Sequence, residues 1–110
     1  MSLSASQILA DHVLSWPGVS QQPHRFGGIE FVYNGKEIGH VHGDHLVDLP
    51  FSKSQRDRIV AEGKARPHHI FPDSGWVSVY ITSHKDVDNA IALLRVKYED
   101  LRAKIGSNEE

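Results

Sequence analysis

Apolar residues recur at Val87, Ile91, Leu94, Tyr98, Leu101 and Ile105, in alternating steps of four and three. No other feature constrains the fold of this chain so tightly. The spacing is that of an amphipathic helix, and Ser83 with Asp86 three residues on supplies a capping signal at its start. A stripe this long must be buried. A small antiparallel sheet has an apolar face that needs a cover, so docking on a sheet is the expected outcome. Pairing with another helix is the alternative, and a homodimer is a candidate assembly.

The sheet is legible upstream. Ile29, Phe31 and Tyr33 alternate with Glu30 and Val32, and Asn34-Gly35 then gives the strongest short-range hairpin signal, because both residues tolerate positive φ. The chain returns as Glu37 to His42. Gly43-Asp44 is expected to turn it again, into His45 to Leu49, completing a three-strand meander. Residues 75–82 read as a further strand, with Val77, Val79 and Ile81 on one face and Trp76, Ser78 and Tyr80 on the other. Ser4 to Ser15 reads as a first helix stopped by Pro17-Gly18, and Ser52 to Glu62 as a short charged one stopped at Gly63. The order is α-β-β-β-α-β-α. It predicts an α+β two-layer sandwich, an antiparallel sheet with helices mainly on one face. The 110 residues suit one domain, taken as 1–105 with a polar tail at 106–110.

What such a domain does turns on its histidines. There are eight, with no cysteine, and six of them fall between His24 and His69. The absence of Cys excludes disulfide scaffolds, thiolate metal sites and a thiol nucleophile. The net charge of −2 offers no general attraction to nucleic acid or to anionic membrane. No apolar run approaches a membrane span and no signal-like segment opens the chain, so a cytoplasmic protein is expected.

Alternation places Ile38, His40 and His42 on one face. A two-residue loop at Gly43-Asp44 would set His42 opposite His45 and His40 opposite Val47, near the rim of the core. The segment Arg66-Pro67-His68-His69-Ile70-Phe71-Pro72-Asp73-Ser74-Gly75-Trp76 presents two more histidines beside a turn.

Three readings of this constellation stand. The histidines are structural or pH-sensing in a non-enzymatic binding or interaction domain. Alternatively, His40, His42 and His45 hold zinc or nickel, imidazole being a common ligand for such ions. His40, His42, Asp44 and His45 also spell the H-x-H-x-D-H string of the metallo-β-lactamase superfamily, whose much longer fold takes further ligands from distant loops. The third reading is a polar pocket for a small molecule, with His40, His42, His68, His69 and Asp44 as catalytic candidates. His45, Asp73, Trp76, Arg25 and Arg66 are then candidates for substrate binding, and no cofactor or metal is called for.

At these residues the chain resembles the luciferase-like domain family. The likeness lies in Ser-Trp-Pro-Gly-Val (15–19), Pro-His-Arg-Phe-Gly-Gly-Ile-Glu-Phe (23–31) and Glu-Ile-Gly-His-Val-His-Gly-Asp (37–44). It continues in Leu-Val-Asp-Leu-Pro-Phe (46–51), Pro-His-His-Ile-Phe-Pro-Asp-Ser-Gly-Trp-Val-Ser (67–78) and the closing helix at 90–99. The family is similar to the fungal luciferases, which oxidise a pyrone-type luciferin with molecular oxygen without metal or flavin. The resemblance implies a histidine pocket at His40, His42, Asp44, His68 and His69, edged by Asp73 and Trp76. There a His base would take an acidic proton from an enol and the carbanion would react directly with oxygen.

Overall fold

The computed structural model describes residues 4–24 and 27–108, with side chains as far as Lys104. Arg25 and the stripe position Ile105 therefore lie outside the described side chains.

The elements are α1 (Ala5–Leu14), β1 (Val19–Pro23), β2 (Ile29–Tyr33), β3 (Lys36–His42), β4 (Leu46–Pro50), α2 (Lys53–Ala61), β5 (Arg66–Pro67), β6 (Trp76–Tyr80) and α3 (His84–Asn108). The strands form one sheet in the order β1-β2-β3-β4-β6-β5, antiparallel throughout. The two-layer α+β architecture is as expected, with two further strands. The edge strand β1 and the two-residue β5 enlarge the sheet beyond the meander and its fourth strand.

Local chemistry explains the element ends. Ser4 caps α1 and Ser52 caps α2, each in a reciprocal capping box with Gln7 or Gln55. The Asp86 carboxylate accepts from the Thr82 and Ser83 amides at 2.8 and 3.1 Å and so fixes the entry to α3. Asn34 and Gly35 both have positive φ, as the tight β2–β3 hairpin requires.

Helix α3 lies across β3, β4 and β6 and against α1. It buries Val87, Ala90, Leu93, Leu94, Tyr98 and Leu101, whereas Ile91 is only partly covered. The buried arc is thus slightly broader than the sequence stripe. Tyr98 is fully buried between the rings of Trp16 and Tyr33, and its hydroxyl donates to the Pro17 carbonyl at 2.6 Å. Helix α2 is tied to α3 through Gln55 and Asp100 and flanks β5 and β6. At Gly39 the helix leaves no room for a side chain: a Cβ there would meet Leu94 Cδ2 at 2.7 Å and the Asp48 carbonyl at 2.9 Å.

Two backbone details reset the expected faces. Phe31 pairs with Gly39 but Val32 pairs with Glu37, so Ile38 is an extra residue in β3. Such a bulge re-aims the side chains that follow it. Ile38 joins the hydrophobic core. Gly39 faces Leu94, and His40 and His42 turn to the sheet face away from α3, not toward the core as the plain alternation implied.

The second turn also differs. His42 pairs with Leu46 and His40 with Asp48, so the β3–β4 loop has three residues, Gly43, Asp44 and His45. Gly43 takes φ 57° and makes the longer loop accessible. This one-residue shift moves Asp48, not Val47, opposite His40, and it removes His45 from the strand altogether.

Candidate functional site

Along β4 the sequence Val47-Asp48-Leu49 sends its two apolar side chains into the core. Alternation then directs Asp48 to the opposite face, where it meets His40 from β3 and Ser78 from β6. Strand β5 pairs with β6, and the chain leaving it brings His68 and His69 over the same spot. Five side chains, from β3, β6 and the segment after β5, thus converge on one carboxylate of β4.

The geometry is unusually crowded. Around Asp48 Oδ2 stand His40 Nε2 and His42 Nε2 at 3.2 Å, His69 Nε2 at 3.1 Å and His68 Nε2 at 3.4 Å. Ser78 Oγ donates to the other oxygen, Oδ1, at 2.7 Å. Asp48 and Ser78 are both fully buried. On the far side of His40, Nδ1 meets Glu37 Oε2 at 2.6 Å. His68 Nδ1 accepts from the amides of Ile70 and Phe71, both at 3.1 Å. A nitrogen that accepts two N–H bonds carries no proton, so the neutral His68 ring bears its proton on Nε2, toward Asp48. The ring of His24 stacks on His40 at 3.9 Å, and the indole of Trp76 lies 5.4 Å from His40.

These surroundings separate the charges. Burial works against ionising Asp48, but bonds from His40, Ser78 and His69 and the nearby His68 hold its pKa well below the ordinary carboxylate range. Burial also works against the His40 imidazolium. Bonds to Asp48 and Glu37 outweigh it and raise the pKa to about 9. His42 and His68 shift the other way, chiefly through burial, with further lowering from His40 on His42 and from His69 on His68. At neutral pH the cluster therefore holds the His40 imidazolium, the Asp48 carboxylate and the neutral rings of His42 and His68 side by side.

The cluster lines a groove of ≈ 720 Å³. Gln22, His24, Glu30 and Glu37 add polar lining, and Ile70, Phe71 and Trp76 add apolar lining. Ile70 and Phe71 are largely exposed at its rim.

The structure brings together His40, His42, His68, His69 and Trp76 from the sequence-derived set. It leaves others elsewhere. Asp44 accepts from the Ser6 amide at 3.0 Å, at the start of α1, which holds its pKa down. It lines a separate cavity of ≈ 360 Å³ with Ile8, Ser83 and Val87. His45 is exposed in the same loop, and Asp73 is exposed in the turn before β6. Arg66 sits in β5 with its guanidinium over the Tyr80 ring, 5.7 Å from the centroid. Arg25 lies outside the described residues.

Sequence reasoning passed over Asp48, Glu37 and Ser78. The usable signal was a lone Asp in the otherwise apolar run Leu46-Val47-Asp48-Leu49. For a metal, the triad His40, His42, Asp48 and the triad Asp48, His68, His69 each bring their ligand atoms within 4.8 Å of one another, as does His24 with Glu37 and His40. The expected triad with His45 does not assemble.

No helix among the described residues is long and apolar enough to cross a membrane. A family model described as the luciferase domain matches residues 35–97, from β3 through most of α3. The match includes every side chain that touches Asp48. No curated protein and no solved structure matches the chain.

Proposed function

The chain belongs to the luciferase domain family, and on that premise we propose that its groove binds a small enolisable molecule and oxidises it with molecular oxygen. The carrying observation is the His69–Asp48 pair on the groove wall, with Nε2 and Oδ2 3.1 Å apart. The ionised Asp48 can only accept, so His69 donates through Nε2 and keeps Nδ1 as the basic nitrogen. This is the arrangement in which a carboxylate orients an imidazole base.

His69 would take the acidic proton of a substrate ring laid against Trp76, Ile70 and Phe71. The electron pair left on carbon reduces O2 as the C–O bond forms, and the protonated His69 returns its proton to the peroxide. The sum is a C–H bond and O2 converted to a C–OOH group, with no outside reductant. The imidazolium of His40 and the donors around it suit the charge that develops.

The test is oxygen uptake with a panel of enolisable rings, triacetic acid lactone (a hydroxypyrone) and dimedone (a cyclic diketone) among them. Expected is saturable uptake with a hydroperoxide product, lowered about 100-fold or more in His69→Gln. Turnover of no member of the panel, or equal rates in wild type and His69→Gln, would overturn the proposal.

A further inference from the structure

We propose that Asp48, His40 and His42 form a site for one divalent transition-metal ion of the zinc or cobalt kind, bound by the Asp48 Oδ2 and two imidazole Nε2 atoms. The site goes beyond the oxidation reading and does not depend on it.

The first support is spacing. Both Nε2 atoms lie 3.2 Å from Oδ2. Ligand bonds of ~2.0–2.1 Å place adjacent ligand atoms ~3.0–3.4 Å apart, so the three donors stand at the edges of a coordination shell.

The second support is a surplus of donors. A carboxylate oxygen offers about two lone-pair positions. Ser78 occupies Oδ1, while four imidazole Nε2 atoms crowd Oδ2. As N–H donors they cannot all be served. An ion on Oδ2 takes His40 and His42 as lone-pair ligands, with the extra proton of His40 released to solvent, and cuts the N–H donors competing for Oδ2 from four to two.

The outer contacts select this triad over Asp48, His68 and His69. Glu37 at His40 Nδ1 forms the carboxylate–imidazole pair that fixes ligating histidines in the right tautomer. His68 is fixed in the opposite sense: its Nδ1 accepts two amides, so its Nε2 stays a donor to Asp48.

Charge points the same way. Glu30, Glu37 and Asp48 line the groove, and no Lys or Arg stands among its described lining residues. A dication complements that wall, and its binding displaces the proton that His40 otherwise holds there. Three protein ligands would leave a position open toward the groove for water or a substrate oxygen.

The experiment titrates untagged, chelator-stripped protein with Co2+ and follows visible d–d absorption, then displaces the cobalt with Zn2+. One saturable equivalent is expected in wild type, and also in His12→Ala and His84→Ala. His42→Ala should lose the signal while keeping its circular dichroism, since its side chain is part-exposed. Glu37→Gln should weaken binding ~10–100-fold. The absence of a saturable equivalent, or equal affinity in wild type and His42→Ala, overturns the site. His69→Gln separates the two proposals: it should bind cobalt as wild type does and still lose oxygen uptake.

Discussion

Removing the negative charge beside His40 should change how stability depends on pH. His40 rises from the ordinary 6.5 to about 9 on folding, and its side chain is only 7% exposed. A base whose pKa is raised in the folded state stabilises the fold fully below its unfolded pKa, and that contribution drains away as pH rises toward the folded value. At 1.36 kcal/mol per pKa unit, the contribution is about 3 kcal/mol at pH 6 and falls by about 2 kcal/mol between pH 6.5 and 8.5. The lowered His42 and His68 act with the opposite sign. Their folded forms resist protonation, so their cost appears as pH falls below 6.5. Asp48 adds a further loss in strong acid, because its stabilisation is present above the unfolded carboxylate pKa and vanishes as pH falls through the folded one. Stability of the chelator-treated protein should therefore peak near pH 6.5. Urea unfolding at pH 6.5, 7.5 and 8.5 with a constant m-value measures the alkaline side. Glu37→Gln and Asp48→Asn each delete one of the two carboxylates on His40 and should shrink the decline to roughly half or less. A wild-type profile that is level or rising from pH 6.5 to 8.5 would refute the assignment, as would both variants keeping the full decline.

Other consequences concern the scaffold that holds the cluster. Gly39→Ala forces a methyl into the contact with Leu94 and the Asp48 carbonyl and should cost about 1–3 kcal/mol by overpacking, read as a lower urea midpoint. Tyr98→Phe keeps the ring but deletes the bond to Pro17; a loss of about 1 kcal/mol is expected, and no loss would mean that the bond adds nothing. Leu94→Ala opens a fully buried position under α3 and should cost about 2–5 kcal/mol in the same assay.

The periodic parts of this fold were readable because local pattern and burial agree in them. Val87, Leu94, Tyr98 and Leu101 of the α3 stripe, the Asn34-Gly35 hairpin and the Val77-Val79 face of β6 all appear where the sequence places them. Strand β1 was hidden because Ser20, Gln21 and Gln22 are exposed at the sheet edge and carry no alternation. Strand β5 is two residues long, and only its pairing with β6 defines it.

The site was half legible for a related reason. His40 and His42 were found by alternation, but the bulge at Ile38 reversed the face they share. A loop of two residues and a loop of three both suit Gly43-Asp44-His45, and the choice between them decides whether His45 or Asp48 belongs to the cluster. Asp48 itself reads as a solvent-facing residue until a second face of the sheet is found to be covered. That cover is His68 and His69, brought over it by a contact between distant segments that local pattern does not encode.

The most direct test of the central claim is a long-range 1H–15N spectrum of the histidine rings during titration with triacetic acid lactone. The ring nitrogens of His42 and His69 should shift together and saturably, while those of His12, His45 and His84 stay fixed. Shifts at His45, or none at His42 and His69 on saturation, would contradict a ligand site centred on Asp48.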